Sequence, residues 1–374
     1  MAASATVLMS EIVRVMSFRT LVPSCRRPQD GPMETVQKVA VFGAYGHTGR
    51  FVVRELLDRG FVPVAIGRDS GKLRALAERH PGLEVREATV EDPASLDRAF
   101  GGTAAVINCA GPFAATVAPV VEAALRTGIP YVDVAAEIEA TVDTFAQFGD
   151  RALAAGIAVV PAMAFFGGLG DLLATAALGD WSSADEVHIA YGLSSWHPTS
   201  GTRVSGKVSR ERSGGRSRSY TNGRLQYHDG ERPTLGWKFP EPLGPRPVVG
   251  EFTMTDAVTI PTHVSVPEIL SYMTVEAVAD VANPDTAAPV AADESGRSDQ
   301  TFLVDVIVCS GGEERRAGAS GRDIYAISAP LAVEAVDRIL SGKIKGFGVA
   351  SAGGMFDAEE FLTSLSARNH IARV

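Results

Sequence analysis

The chain has 374 residues, 45% of them hydrophobic, with 35 basic against 44 acidic side chains and a formal charge of −9. That length holds two domains of ordinary size, each able to bury its own core. The acidic balance excludes general affinity for nucleic acid or an anionic membrane surface, and no apolar run approaches the roughly 18 residues that a spanning helix needs. The three cysteines, Cys25, Cys109 and Cys309, are far apart. They lack metal-ligand spacing and are too few for a disulfide framework, so the sequence predicts a cytoplasmic protein with no metal site and no stable membrane insertion.

Residues 1–34 carry Arg14, Arg19, Arg26 and Arg27, few acids and no core pattern. They read as an extension outside the fold, either disordered or translated from a start upstream of the natural one at Met33. A transit peptide has the same composition.

Lys38-Val39-Ala40-Val41-Phe42 then forms an apolar strand leading into Gly43, Gly46 and Gly49, and Phe51 to Leu57 follows with helical periodicity. Strand, tight glycine turn and helix in that order hold a dinucleotide pyrophosphate, which sits against the free N–H groups of the helix start. Gly43, Tyr45, Gly46, His47, Thr48 and Gly49 are the cofactor-binding candidates of this turn. The next strand, Val62 to Ile66, ends in Gly67-Arg68-Asp69. A carboxylate at this place would accept from the ribose 2′-hydroxyl of NAD, whereas the Arg68 guanidinium suits the 2′-phosphate of NADP(H). The alternative is a solvated turn with Asp69 as the ion-pair partner of Arg68.

Strand and helix go on alternating. Lys72 to His80 is a helix, Leu83 to Val90 a strand, Ala94 to Phe100 a helix, and Ala104 to Cys109 a buried strand. Helix Val117 to Thr127, strand Tyr131 to Val134, helix Thr141 to Ala155 and strand Ile157 to Pro161 follow. This grammar predicts an α/β fold with a doubly wound parallel Rossmann sheet over residues 35–175. It changes over residues 176–328. Val187 to Tyr191 reads as a strand, Ser219 to Tyr227 as a hairpin turning at Asn222-Gly223, and Phe302 to Val308 as a strand turning at Gly311-Gly312. Ala287 to Gln300 reads as a surface loop. These signs predict a second, smaller α+β domain containing antiparallel strands and holding the substrate. Helices Ala329 to Leu340 and Asp357 to Leu365, within residues 329–374, return to the first domain.

Three segments carry a resemblance. They are Val41 to Gly49 together with Gly67-Arg68, Val106-Ile107-Asn108-Cys109-Ala110-Gly111-Pro112-Phe113, and Gly128 to Glu137, close to a G-x-x-Y-x-D-x-x-G-E pattern. They resemble the saccharopine dehydrogenase-like family of NADP-dependent reductases. The likeness continues through Ala164 to Asp171, Gly321 to Tyr325 and Gly348 to Ala352. The resemblance implies NADP(H) as cofactor and places Asn108, Ala110, Gly111 and Pro112 beside its ribose and nicotinamide; the alternative is a Gly-Pro turn needed only to leave the strand. Ala136 stands where the family has glycine, and Phe165-Phe166-Gly167-Gly168 replaces its G-F-D-x-x-P. Both departures lie where the family puts nicotinamide and substrate, so the resemblance does not carry a substrate with it.

Three residues are catalytic candidates, Glu137 and His197 as acids and Asp171 as a residue that caps or lines the site. Glu137 follows a strand end and reads equally as a helix-start carboxylate. Asp171 follows Gly167-Gly168-Leu169-Gly170 and reads equally as an acid favoured by a helix macrodipole. His197 lies in the substrate region, although a lone histidine is more often structural. Cys109 reads as a small core residue. Tyr45, Tyr131, Tyr191, Tyr220, Tyr227, Tyr272 and Tyr325 all lack a lysine four residues later, which excludes the Tyr-x-x-x-Lys pair of short-chain dehydrogenases. Arg203, Lys207, Arg210, Arg212, Arg216, Arg218 and Arg224 crowd one stretch. They fit a solvated hairpin face, or else a grip on a carboxylate, a phosphopantetheine arm or an acidic carrier.

The sequence thus predicts an NADPH-dependent reductase acting on a C=N or C=C bond of a small or carrier-bound substrate. A non-catalytic NADP-sensing regulator is the alternative, and a homo-oligomer is left open.

Overall fold

A computed structural model describes residues 37–374; the expectation for residues 1–34 falls outside them. Strands and helices alternate first as β1 (Lys38–Phe42), α1 (His47–Asp58), β2 (Val62–Gly67), α2 (Ser70–Arg79), β3 (Glu84–Glu87) and α3 (Pro93–Phe100). They continue as β4 (Ala105–Asn108), α4 (Phe113–Thr127), β5 (Tyr131–Asp133), α5 (Ile138–Ala155) and β6 (Ala158–Val160). β1, β2 and β4 are apolar almost throughout and buried along nearly their whole length, as strands covered by helices on both faces must be. α1 turns Gly49, Val52, Val53 and Leu56 inward, the i, i+3, i+4, i+7 stripe of a helix packed on one face. α4 and α5 both stop at glycines in the left-handed region, Gly128 and Gly156.

α4 begins at Phe113, one turn before the expected Val117, because a carboxylate that follows the neighbouring strand β5 caps its first N–H groups. α5 likewise begins at Ile138 rather than Thr141.

The second part contains α6 (Gly170–Leu178), β7 (Glu186–Leu193), α7 (Ser200–Arg212), β8 (Ser217–Thr221), β9 (Arg224–His228), β10 (Thr234–Lys238) and β11 (Pro245–Val249). After these come α8 (Asp256–Thr259), β12 (Glu268–Thr274), α9 (Val275–Ala282), β13 (Thr301–Ser310) and β14 (Glu313–Arg322). The chain closes with α10 (Ser328–Leu340), β15 (Gly348–Val349), α11 (Ala352–Met355), α12 (Ala358–Ala367) and β16 (Ala372–Arg373). All seven strands of the first sheet are parallel, in the order β15-β6-β5-β4-β1-β2-β3. The second sheet runs β10-β11-β12-β7-β13-β14-β16 and is mixed, with β7 and β12 parallel and the other neighbours antiparallel. β8 and β9 form the hairpin at Asn222-Gly223, both with positive φ (52° and 73°) as a type I′ turn requires.

The arginine-rich stretch is not one hairpin face. Residues 200–212 form α7, a polar helix with no buried residue, and only residues 217–228 form the hairpin. No helix of the described residues is long and apolar enough to cross a membrane.

One apolar cluster joins the two sheets, running from Val39, Val41 and Val52 through Phe165 to Leu173 into Val187, Ile189, Val304 and Val306, with α10 at its centre. α10 is held to α1 by buried charge. Arg59, its side chain 3% exposed, donates from Nε to Glu55 at 2.7 Å and from Nη1 to Glu334 at 2.5 Å. Arg338 donates to the other Glu334 oxygen at 2.8 Å. Burial alone would push the Glu334 carboxyl up, but the hydrogen bonds from Arg59 and Arg338 outweigh it and hold the group below its ordinary value.

Removing one partner of such a pair strands a buried charge, so Arg59→Met should cost about 3–5 kcal/mol in urea unfolding. Because Glu334 also pairs the buried Arg338, Arg59→Met combined with Glu334→Leu and Arg338→Met should recover much of that loss. A triple variant that loses as much as the sum of the singles would contradict this account of the α1–α10 contact.

Candidate functional site

β1, β2 and β3 add to the first sheet in one direction, and β4, β5 and β6 in the other. The order therefore reverses between β1 and β4, where open parallel sheets bind ligands beyond the carboxyl ends of the strands. Here the two loops touch. Gly43 has φ +82°, and a Cβ on it would lie 2.8 Å from the Ala110 nitrogen. A Cβ on Gly49 would lie 2.3 Å from the Gly43 carbonyl oxygen, so α1 starts directly against the turn. Gly46 supplies no side-chain cap to α1. The first N–H groups of the helix are thus left for an anion.

From this crevice a cavity of about 840 Å³ runs into the second part of the molecule. Tyr45, Gly46, His47, Thr48 and Arg68 line one end, and Ala110, Gly111, Pro112 and Phe113 the middle. Phe165, Phe166, Trp196, Phe252 and the inner side of α7 close the far end. The Tyr45 ring lies on Gly67, where a Cβ would come within 2.5 Å of it. The turn at the end of β1 and the arginine at the end of β2 are thereby brought into one corner.

His47 opens α1 and packs edge-on against Phe51 and Tyr325, with ring centroids 5.5 and 5.2 Å away. Burial holds its imidazole below the ordinary value, with Asp323 partly opposing. Its buried Nε2 has no partner among the described residues. An orphaned ring nitrogen beside an uncapped helix start fits a bound phosphate or ribose.

Arg68 is exposed and makes no ion pair among the described residues. Asp69 is engaged elsewhere: it caps α2, accepting from the Lys72 N–H at 3.0 Å, with the Lys72 ammonium 3.7 Å away. The arginine therefore stands free at the cavity edge.

The remaining predicted residues divide. Ala110, Gly111 and Pro112 line the cavity, but Asn108 lies beneath it, fully buried. Its amide donates to Tyr131 at 3.2 Å and Thr116 at 3.3 Å, and its carbonyl oxygen accepts from the Ala110 N–H at 3.0 Å. Asn108 shapes the loop rather than facing a ligand.

Glu137 reaches the cavity wall, yet its two oxygens accept from the Phe113 and Ala114 N–H groups at 2.8 and 2.9 Å. It is the cap that starts α4 early, and both of its carboxylate oxygens accept backbone hydrogen bonds.

Asp171 is wholly buried and apart from the cavity. It accepts from the Gly353 N–H at 3.1 Å and lies 3.3 Å from His263. His197 is exposed in a separate small pocket of about 90 Å³, with Nδ1 3.2 Å from the Ala287 carbonyl. Cys109 touches the cavity, but burial and then the Asp133 charge push its thiol far above the ordinary range, so it is no nucleophile. Among the described residues no cluster of His, Cys, Asp and Glu is placed to hold a metal ion.

Several wall residues were not among the candidate site residues. Tyr325 receives hydrogen bonds from Trp196 Nε1 at 3.1 Å and the Thr199 N–H at 3.4 Å, and donates to the His197 carbonyl at 3.2 Å. It therefore fixes the start of α7 over the cleft. Ser205 of α7 would stand 3.1 Å from a Cβ on Gly111, so this helix roofs the β4 loop. Phe165 and Phe166 project from a kinked turn pinned from behind by Asp256, which accepts from the Gly167 N–H at 3.2 Å and from Tyr191 at 2.5 Å. The Gly167-Gly168 pair pointed to this turn; Asp256, 89 residues further on, could not be read from it.

A doubly wound parallel domain with an uncapped helix start and a free arginine at its switch point, joined across one cleft to a mixed-sheet domain, defines a two-domain dinucleotide-binding protein. Residues 39–160, about a third of the chain, match the saccharopine dehydrogenase NADP binding domain, and the match gives this first domain NADP(H) as its cofactor.

An Arabidopsis thaliana protein named "probable mitochondrial saccharopine dehydrogenase-like oxidoreductase" is 32% identical over 150 residues, covering 35% of this chain and 32% of that one. The mouse saccharopine dehydrogenase-like oxidoreductase is 28% identical over 145 residues, 34% of each chain. The matched region thus spans about a third of these curated relatives. The apo saccharopine dehydrogenase (L-Glu forming) of Saccharomyces cerevisiae superposes with a TM-score of 0.62 over 90% of this chain and 99% of its own, at 13% identity. At that identity the likeness is one of fold.

Burial, reinforced by Asp171, raises the Asp256 carboxyl from 3.8 to about 7, and burial raises that of Asp133 to about 6. A carboxyl with a higher value folded than unfolded binds its proton more tightly in the folded state. Stability therefore falls as pH rises from the unfolded value to the folded one. The melting temperature should decline between about pH 4 and pH 7, and Asp256→Asn should flatten the larger part of that slope. An unchanged slope in the variant would contradict the assignment.

Proposed function

We propose that the chain is an NADPH-dependent reductase that delivers hydride to a C=N or C=C bond of a small or carrier-bound substrate. The observation that carries this reading is the continuity of the cavity: Arg68, the glycine turn, the β4 loop and the aromatic far wall border one space. A dinucleotide laid along the first domain would put its reactive end beside Gly111 to Phe113, facing Phe165 and Phe166. Bound NADPH supplies the hydride. The protein's part is to bind, orient and exclude water.

Arg68 would hold the 2′-phosphate, and the His47, Thr48 and Gly49 N–H groups the pyrophosphate. Phe165 and Phe166, both buried, keep the nicotinamide end dry. The carboxylate of Glu137 and the hydroxyl of Tyr325 are committed to backbone and side-chain partners. Protonation of the product accordingly falls to water or to a group of the substrate.

Loss of a charge-assisted phosphate contact costs about 1.5–3 kcal/mol. Arg68→Ala should thus weaken NADPH roughly 10- to 100-fold in a nicotinamide fluorescence titration and leave NADH unchanged. Equal weakening of both cofactors would remove the 2′-phosphate role. Tight NADPH binding with no turnover on imines, enones or enoyl thioesters would favour the non-catalytic NADP-sensing alternative.

A further inference from the structure

The basic stretch divides by partner. Three members outside the cavity are satisfied, Arg212 by Asp143 at 2.7 Å, Lys207 by Glu211 at 3.9 Å and Arg203 by the Thr286 carbonyl at 2.7 Å, while the exposed Arg224 makes no ion pair among the described residues. Arg210, Arg216 and Arg218 line the cavity, where Arg232 joins them. Of these four, Arg218 is neutralised by Glu139, donating from Nε at 2.7 Å. Arg210, Arg216 and Arg232 make no ion pair among the described residues.

These arginines lie close together. Arg216 and Arg218 sit over the one Tyr227 ring, 5.1 and 5.9 Å from its centroid. Arg232 lies 5.1 Å over Phe252, and burial together with Arg218 and Arg210 depresses its proton affinity. Glu251 alone opposes that effect, and it stands 3.4 Å from His228. In a chain of charge −9, a solvated face would draw carboxylates to such a cluster. Here three cations line one cavity and none of them is paired with a carboxylate, which is the electrostatics of an anion site.

Beside them the wall is apolar. Trp196 packs between Phe166 and Phe252, with centroids 5.1 and 6.1 Å away, and all three are buried. A small, wholly polar substrate would leave this wall without a partner.

We propose that Arg210, Arg216 and Arg232 form an anion site at the mouth of the substrate end. The substrate is then an amphiphile, its apolar body against Phe166, Trp196 and Phe252 and a phosphate or carboxylate at its outer end. This deepens the reductase reading and rests on it for the word substrate; the anion site itself does not depend on NADPH.

Trp196 is one of three tryptophans and reports on this wall. Decyl phosphate, decanoate and decanol titrated into the full chain should be followed by tryptophan fluorescence, with Trp196→Phe as the control that abolishes the signal. At least one anionic probe should bind ten times more tightly than decanol, and the comparison of phosphate with carboxylate identifies the head group. Arg210→Gln combined with Arg232→Gln should weaken the anionic probe roughly 10- to 100-fold and leave decanol and NADPH unchanged.

Equal binding of decanol and the anions would overturn the proposal. So would a double variant that keeps the anion, or one that loses NADPH instead. Wild-type protein that binds the anionic probe but not NADPH would sink the reductase reading and leave the anion site standing.

Discussion

The loops leaving β1 and β4 meet with no space for a side chain between them, and the rest of the site depends on that contact. A Cβ on Gly43 would stand 2.8–2.9 Å from three atoms of Ala110, closer than non-bonded atoms pack. The same turn brings its carbonyl against Gly49, which sets where α1 begins. The width of the crevice, the position of the free N–H groups and the depth of the cavity floor follow from this single approach. Overpacking in such a place displaces backbone rather than a flexible side chain.

Buried polar groups hold the floor from below. Asn108 ties the β4 loop to Tyr131 and Thr116, and Tyr131 donates to Asp133 at 2.8 Å. Asp133 in turn accepts from the Ala135 and Ala162 N–H groups at 2.9 and 2.8 Å. Glu137 anchors the next helix. These carboxylates and amides act on the ligand through the backbone they position, and the raised proton affinity of Asp133 records the cost of burying it.

The first domain was legible because its signals are local. A glycine-spaced turn between an apolar strand and an amphipathic helix, and repeated strand–helix alternation, each lie within a few residues. The second domain was less so. α7 has no apolar face to give it a helical period, and its arginines read as part of the hairpin that follows. β14, Glu313–Arg322, is polar along most of its length and owes its place to pairing with β13.

The individual carboxylates were misleading for a related reason. Glu137 caps N–H groups 24 and 23 residues upstream, and Asp171 accepts from a backbone 182 residues away. A carboxylate at a strand end looks alike in sequence whether its partner is a ligand or a distant helix start. The roof of the cleft depends likewise on Tyr325, which meets Trp196 across 129 residues.

The most direct test of the account is a crystal structure of the chain with NADP bound. It should show the 2′-phosphate within hydrogen-bonding reach of Arg68, the pyrophosphate on the N–H groups of His47 to Gly49, and the nicotinamide beside Gly111 to Phe113, facing Phe165 and Phe166. A dinucleotide lying in the opposite sense, with its 2′-phosphate among Arg210, Arg216 and Arg232, or one bound away from the β1–β4 crevice, would contradict it.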